Sequence, residues 1–374
     1  MLTVFGTRPE AIKLAPVISE LGAITPAVHV INVLSGQHRD LVRPFVEVFG
    51  ITIDHDLDVM QANQTPVQTC ARILTALEPL LEAERPDLVL VQGDTTTVLA
   101  GALAAFHQGI LVGHVEAGLR SGDALNPFPE EMNRRLVSRL ATFHFAATGR
   151  NRDTLLAEGV MASRIFLTGN PIVQALGMLQ SRHTPSAAVA SVLSQTASQR
   201  RLVVTAHRRE HFGSVLEAHL RVLRAFVERH ADVALIFPVH PNPQVTGPAH
   251  RILGGHPRIH LTEPLGYGDF LAVLASAWLV ASDSGGVQEE APSLGRPVLV
   301  MRANTERPEA LDAGVARLTG GDPDTLAQML EATHQDDAWP AAVRRLENPF
   351  GTPDSGKRVA QAIGRILHEE AMTS

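Results

Sequence analysis

Residues 87–116 read DLVLVQGDTTTVLAGALAAFHQGILVGHVE. Two short apolar runs, LVLVQ and ILVGHV, flank a segment of helical length that opens with a row of threonines. Short strands that are apolar on both faces and separated by a helix are typical of a parallel sheet. We therefore expect an α/β protein in which helices cover both faces of the sheet.

The same alternation continues along the whole chain. Further strand-like runs are LTVF, VHVINV, FHFAA, IFLTG, LVVTAH, VALIFPV, IHLT, WLVASD, PVLVM and ARLT. The pattern restarts near residue 201 after a polar stretch rich in small residues, and 374 residues are enough for two cores. We predict two doubly wound, Rossmann-like domains facing across a cleft, over residues 1–170 and 171–355. A terminal helix over residues 356–374 could pack on either.

Composition excludes several classes of protein. The net charge is −7 and the arginines are dispersed, so no basic stripe for nucleic acid is visible. The apolar runs are far shorter than the roughly 20 residues of a membrane span, and no secretory signal opens the chain. The single cysteine, Cys70, excludes an intrachain disulfide. A cytoplasmic protein is expected.

The first strand runs into FGTRPEAIKLAPVI. A junction of strand, glycine and helix points backbone N–H groups above the sheet, which suits a phosphate, and Arg8 and Lys13 would add positive charge. A tight turn with both side chains in solvent is an equal alternative. The sequence contains no GxGxxG fingerprint, which disfavours a classical nicotinamide site.

Carboxylates follow two strands that should be neighbours. Asp94 ends LVLVQGD and Glu116 ends ILVGHVE, so both should project into one crevice. For Asp94 alone, a helix N-cap is a strong alternative. Glu130 and Glu131 open the next helix, where acids complement the helix dipole.

The second half contains His207, Glu210 and His211 in an H-x-x-E-H pattern. We reject a zinc site, because the pattern follows a strand and holds two arginines. His207 better suits an anionic ligand. Phe270, in the strand-end loop 265–270, could stack on a base, and core packing explains it equally well.

The run WLVASDSGGVQEEAPSLGRPVLVM is the most informative of the second half. Ser284, Gly285 and Gly286 form a small-residue turn that would let a diphosphate approach a helix N-terminus. Glu289 and Glu290 follow, and an acid there can accept hydrogen bonds from ribose hydroxyls. The arrangement is what a nucleotide-diphosphate-sugar site requires.

These residues resemble the bacterial non-hydrolysing UDP-N-acetylglucosamine 2-epimerases over nearly the whole chain. The matching segments are FGTRPEAIKLAPVI, GQHRDL, QGDTTTVLAGALAAF, GHVEAGLRSGD, PFPEEMNR, TAHRREHFG, PVHPNP and SDSGGVQEEAPSLGRPVLVM. The resemblance implies a GT-B arrangement, a homodimer, no nicotinamide or metal cofactor, and a terminal helix that crosses back to the first domain. It further implies the interconversion of UDP-GlcNAc and UDP-ManNAc, by elimination of UDP to 2-acetamidoglucal and re-addition.

Residue by residue, the resemblance implies that Asp94 and Glu116 act as the acid/base pair at C2, assisted by Glu130. His207 and Arg8 would face phosphate, Lys13 is a further active-site position, and Glu131 is left as a helix-dipole complement. The implied nucleotide-binding positions are Arg8, Phe270, Ser284, Gly285, Gly286 and Glu290.

Many bacterial members bind a second UDP-GlcNAc as an activator. The corresponding positions here are Gln37, His38, Arg209 and His240. Asp40 departs from the Gln or Glu of several relatives, so activation is a hypothesis. In GNPIVQAL, Pro171 and Gln174 also depart from the family and could adjust sugar specificity.

Four other functions remain open. A hydrolysing epimerase would share fold and motifs, and an epimerase of a 3-acetamido uronate derivative would do so too. A retaining GT-B glycosyltransferase would share the diphosphate loop without obvious need of Asp94, Glu116 and Glu130 together. A UDP-sugar sensor would tolerate the loss of those acids.

Overall fold

A computed structural model describes residues 1–24, 28–36, 39–61, 64–208 and 212–373. The chain forms two compact units. Unit 1 comprises Met1–Met178 together with Phe350–Ser374, and unit 2 comprises Leu179–Pro349. The units therefore differ at their edges from the domains expected from the sequence, which end at residues 170 and 355.

Unit 1 contains a seven-stranded parallel sheet of order β3-β2-β1-β4-β5-β6-β7. Its strands are β1 Leu2–Phe5, β2 Ile31–Leu34, β3 His55–Asp56, β4 Leu88–Gln92, β5 Leu111–Ala117, β6 Phe143–Ala146 and β7 Ile165–Leu167. Its helices are α1 Arg8–Leu21, α2 Arg39–Phe49, α3 Pro66–Glu84, α4 Thr96–His107, α5 Glu130–Leu140, α6 Gly149–Ala157, α7 Ile172–Gln180 and the C-terminal α16 Ser355–Thr373.

Unit 2 contains a six-stranded parallel sheet of order β10-β9-β8-β11-β12-β13. Its strands are β8 Arg200–Thr205, β9 Val233–Pro238, β10 Ile259–Thr262, β11 Leu279–Ser282, β12 Val298–Val300 and β13 Ala316–Leu318. Its helices are α8 Ala187–Gln195, α9 Ser214–Arg229, α10 Pro243–Leu253, α11 Tyr267–Ala275, α12 Gly285–Glu290, α13 Pro308–Asp312, α14 Pro323–Gln335 and α15 Ala338–Val343.

The prediction of an α/β protein with two doubly wound sheets is confirmed. Every residue of β1, β4 and β11 is buried, as are the middle three of β8, as expected for strands covered on both faces. Among the strands of the described residues, the sequence analysis missed β3, whose two residues are too few for a hydrophobic pattern. In each sheet the strand order reverses at one point, between β1 and β4 in unit 1 and between β8 and β11 in unit 2.

Gln174 of α7 joins three elements of unit 1. Its amide donates to Glu20 Oε1 of α1 at 2.8 Å and accepts from the backbone N of Lys357 of α16 at 3.1 Å. Gly356 also packs directly on Pro16 of α1. The structure thus gives this residue a structural role in holding α16 on unit 1.

None of the helices within the described residues combines the length and the apolar character that a bilayer crossing requires.

Candidate active site

The candidate residues of unit 1 lie at the carboxyl edge of its sheet, after β1 and β4 and, for Glu116, in the last residues of β5. This edge includes the reversal of strand order between β1 and β4. Ligands of doubly wound sheets bind at such a point, because the loops on its two sides diverge and leave a crevice.

Glu116 is held by two side chains from neighbouring elements. The Lys13 ammonium lies 2.7 Å from its Oε2, and Gln92 Nε2 donates to the same oxygen. All three side chains are buried. Lys13, for which the sequence left a phosphate contact and a solvent-exposed position open, is buried and pairs with this carboxylate.

The backbone of Glu116 is unusual. Its φ is +67°, a left-handed conformation that costs a residue with a Cβ roughly 1–2 kcal/mol. The register of β5 against β6 shifts between Val115 and Ala117, so Glu116 sits at a bulge. Bulges re-aim a side chain at the end of a strand, and here the one re-aimed is a candidate catalytic carboxylate.

Asp94 is bound by α5 rather than serving as the N-cap of α4, which is Thr95. Arg134 donates to Asp94 Oδ2 through Nε at 2.8 Å, and its Nη2 lies 2.6 Å from the same oxygen. Asn133 Nδ2 donates to the Asp94 carbonyl at 2.8 Å. Two adjacent residues of α5 therefore fix both the side chain and the backbone of this acid.

Glu130 and Glu131 occupy the first turn of α5 with different environments. Glu130 is half-buried, one helical turn before Arg134. Glu131 is fully buried and accepts hydrogen bonds from Ser121 N, Arg134 Nη1 and Arg135 Nε. The expectation of a mainly dipole-complementing Glu131 is therefore incomplete, because it also anchors the loop before α5.

Glu10 is a residue that the sequence analysis missed. It is buried and accepts hydrogen bonds from the backbone N of Gly6 and Thr7, at 2.6 and 3.0 Å, and from Thr95 Oγ1. Burial raises the pKa of Glu10 to about 7, against the hydrogen bonds that lower it and with a small further increase from Asp94. A titratable group thus ties the first turn of α1 to the residue after Asp94.

Arg8, the first residue of α1, is exposed, and its guanidinium carbon lies 5.8 Å from the centroid of the Phe45 ring. This is a long cation–π distance that leaves the guanidinium accessible to an anion.

The candidate residues of unit 2 follow β8 and β11, the strands at its own reversal of order. Asp283 is 1% exposed and accepts hydrogen bonds from the backbone N of His207 and Arg208, at 2.9 and 3.0 Å. Its Oδ1 lies 3.0 Å from His207 Nδ1. A carboxylate in this position orients the imidazole and leaves Nε2 for a ligand.

Asp283 was not among the site residues predicted from the sequence. It follows β11 as Asp94 follows β4, so the strand-end signal that identified Asp94 would have found it too. Its burial against the turn after β8 could be predicted only from the pairing of β8 with β11, which local sequence patterns do not give.

The turn into α12 contains the predicted small residues. Ser284 is the N-cap and accepts from Val287 N. A Cβ on Gly285 would lie 2.8 Å from Arg307 Nη1, whereas one on Gly286 would meet nothing closer than 3.8 Å. The absence of a side chain at Gly285 therefore allows the close approach of Arg307, which also pairs with Glu289 at 2.9 Å. The space above Gly286 is open.

Glu290 and Phe270 are both connected to Tyr267, the first by a hydrogen bond and the second by sharing its helix. The Tyr267 hydroxyl donates to Glu290 Oε1 at 2.7 Å, so the acid is oriented by the only tyrosine in the chain. Phe270 belongs to α11, which begins at Tyr267, and is half-buried. The loop predicted over residues 265–270 is thus shorter than expected.

Four residues correspond to the second UDP-GlcNAc site implied by the resemblance. Of these, His240 is exposed, and its ring centroid lies 6.1 Å from that of His207 in a stacked arrangement. Gln37, His38 and Arg209 lie outside the described residues, as do Glu210 and His211. Within the described ranges, one histidine-containing group has metal-ligand spacing, with ligand atoms within 4.8 Å of one another. It consists of His230, Asp232 and His334, which lie away from the carboxyl edges.

Known proteins resemble this chain in both sequence and fold. A family model described as UDP-N-acetylglucosamine 2-epimerase matches residues 23–364. The UDP-N-acetylglucosamine 2-epimerase of Escherichia coli K12 is 44% identical over 97% of this chain and 98% of its own. That of Bacillus subtilis is 41% identical over 97% and 94%.

A solved structure extends the likeness to three dimensions. The UDP-GlcNAc 2-epimerase of Neisseria meningitidis, bound to UDP-GlcNAc, superposes with a TM-score of 0.91 at 36% identity. The alignment covers 97% of this chain and 99% of the other. The motifs, the two doubly wound sheets and these matches lead to one conclusion: the chain belongs to the UDP-N-acetylglucosamine 2-epimerase family.

Proposed function

We propose that the protein catalyses the reversible C2 epimerisation of UDP-GlcNAc to UDP-ManNAc without net hydrolysis. The observation that carries the proposal is a pair of carboxylates at the ends of neighbouring strands, each held by a cation. Lys13 holds Glu116 and Arg134 holds Asp94. Membership of the family and the UDP-GlcNAc bound to the N. meningitidis relative support the substrate.

The proposed chemistry is elimination followed by re-addition. A base removes the C2 proton while the C1–O bond breaks and its electron pair leaves with UDP, which gives 2-acetamidoglucal. UDP then adds back to C1, and a proton returns to C2 on the opposite face. Because one face loses the proton and the other regains it, two carboxyl groups are needed. Asp94 and Glu116 take these roles, and Glu130 assists.

UDP would be held by the turns after β8 and β11. His207, oriented by Asp283, would donate to a phosphate oxygen, and the N–H groups of Gly285 and Gly286 would face the diphosphate. The further nucleotide contacts in this proposal are Ser284, Glu290 and Phe270. A charge-assisted donor near the departing oxygen stabilises the negative charge that develops as UDP leaves.

Activation by a second UDP-GlcNAc, a homodimer and a cytoplasmic location stay predictions. A hyperbolic rate curve for UDP-ManNAc, unchanged by added UDP-GlcNAc, would remove the activation hypothesis. A hydrolysing epimerase is the second candidate, since it would use the same carboxylates.

The elimination step is tested with UDP-GlcNAc that carries ¹⁸O in the bridge between C1 and the β-phosphorus. If UDP leaves during turnover, the label scrambles into the non-bridging oxygens of the recovered sugar nucleotide, which ³¹P NMR detects. Epimer formation with the label retained in the bridge would exclude elimination. Free ManNAc as the accumulating product would replace the proposal by hydrolysis.

A further inference from the structure

A second concentration of charged groups lies at the opposite edge of the unit 2 sheet, where β8, β11 and β12 begin. A cavity of about 280 Å³ there is lined by four arginines, one aspartate and a tryptophan. These are Arg200, Arg201, Arg296, Arg344, Asp337 and Trp278. We refer to it as the arginine cavity.

Positive charge in the arginine cavity is poorly neutralised. Among the described residues that line it, Asp337 is the only carboxylate, and its oxygens lie 3.9 Å from Arg200 Nη1 and 3.8 Å from Arg344 Nη2. Asp337 also accepts a 2.7 Å hydrogen bond from Trp278 Nε1. The chain as a whole carries a net charge of −7, so a local excess of guanidinium groups is unusual for this protein.

Structural roles account for two of the arginines. Arg201 donates to Thr196 Oγ1 and to the Leu193 carbonyl, each at 2.8 Å. The guanidinium carbon of Arg200 lies 5.2 Å from the Trp278 ring centroid, its Nε lies 3.5 Å from Asp232, and its Nη1 donates to the His334 carbonyl at 3.3 Å. Arg201 is satisfied by the protein, and Arg200, although paired, still lines the cavity.

Arg296 and Arg344 are not accounted for in this way. Within the part of the chain that the structure describes, the buried Nε of Arg296 makes no hydrogen bond. The backbone brings the two together, since a Cβ on Gly295 would lie 3.1 Å from Arg344 Cα. Burial and, after it, the charge of Arg344 lower the pKa of Arg296. An anion between these two like charges would relieve their repulsion.

We propose that the arginine cavity binds a small, multiply charged phosphate anion through Arg200, Arg296 and Arg344. Guanidinium groups match phosphate oxygens in a two-point geometry. Trp278 is buried and its ring is covered by Arg200, which leaves no face for a nucleobase. The ligand is therefore the anion itself, of the class of phosphate or pyrophosphate. The inference is independent of the proposed catalytic function.

The two tryptophans of the chain provide a local readout. Trp278 Nε1–H points to Asp337 in the cavity, whereas Trp339 Nε1–H donates to the Gly314 carbonyl. We would titrate ¹⁵N-labelled protein with inorganic phosphate and with pyrophosphate at constant ionic strength and follow both indole signals, assigned with Trp339→Phe. A saturable shift of the Trp278 signal is expected, and its absence with both anions would overturn the proposal.

A matched pair of variants separates binding from general charge. Arg344→Gln changes a side chain that is 46% exposed, so folding should survive, and it should weaken anion binding about tenfold. Arg221→Gln changes a 63% exposed arginine of α9 that is paired with Glu217, and binding should match the unaltered protein. Equal affinities in both variants, or a shift that follows ionic strength alone, would mean an adventitious ion only and would overturn the assignment.

Discussion

Asp94 is the residue on which the proposed chemistry depends most. Asp94→Asn keeps the size of the side chain and removes its charge, so turnover should fall roughly 10²–10⁴-fold. Affinity for UDP, measured by calorimetry, should be nearly unchanged because the residues proposed to hold UDP are intact. Asp123→Asn, at an exposed position in the loop before α5, is the control and should keep normal turnover. Near-normal turnover in Asp94→Asn would refute its role.

Glu10 should make stability depend on pH. Its pKa is raised from 4.5 to about 7 by burial, so the folded state holds a proton that the unfolded state has released. Stability therefore falls as pH rises from about 4.5 to 7, by on the order of 3 kcal/mol. In Glu10→Gln this loss should be absent. The denaturation midpoint of the variant, relative to that of the unaltered protein, should therefore rise between pH 5 and pH 8.

The control for Glu10 is Glu47→Gln, an exposed position on α2, which should follow the unaltered protein. Parallel pH profiles for Glu10→Gln and the unaltered protein would contradict the buried, titrating carboxyl.

Sequence reasoning proposed Asp94 and Glu116 because strand ends can be recognised from hydrophobic patterns, and it proposed Glu130 from the family resemblance. It missed Glu10, whose partner Thr95 is far along the chain and comes near only because β1 pairs with β4. It also left the partner of Lys13 open between a phosphate and solvent, since the pattern gives no side-chain direction that would place it on Glu116. Contacts between distant segments depend on strand order, which local patterns do not contain.

At the scale of elements, two glycines in the loop after β5 form a matched pair. Gly118 and Gly122 have φ of +91° and +86°, so alanine is strained at both. A Cβ on Gly118 would lie 2.2 Å from the Asn151 carbonyl oxygen, whereas one on Gly122 meets nothing within 4 Å. Gly118→Ala should therefore lower the melting temperature by clearly more than Gly122→Ala, whose cost is about 1 kcal/mol.

The melting temperatures of the two glycine variants, measured by calorimetry, test this prediction. Equal melting temperatures would show that the close packing of α6 on the loop after β5 is not what fixes this loop.

The elements themselves followed from the sequence because strands of a parallel sheet are apolar throughout and helices between them are long. What did not follow is how helices reach the site. Asn133 and Arg134 of α5 fix Asp94, and Gln174 of α7 holds α16 on α1. These are polar contacts between elements that are remote in sequence, and amphipathic patterns carry no information about such partners.

On the scale of the whole molecule, the two units share an architecture and differ in chemistry. The carboxyl edge of unit 1 presents carboxylates held by cations, and that of unit 2 presents His207, Asp283 and a turn of small residues. If unit 2 holds UDP, Asp283→Asn should weaken UDP binding about tenfold by releasing His207 and the turn after β8. Asp324→Asn, exposed on α14, should not. Unchanged UDP affinity in Asp283→Asn would contradict this division.

The central claim is that the carboxylates of unit 1 exchange the proton at C2. Its most direct test is to incubate the protein with UDP-GlcNAc in D₂O and follow C2 by ¹H NMR. We expect deuterium at C2 in both UDP-GlcNAc and UDP-ManNAc, because each re-addition takes its proton from a group that exchanges with solvent. UDP-GlcNAc that keeps its C2 proton, with no epimer formed, would contradict the account.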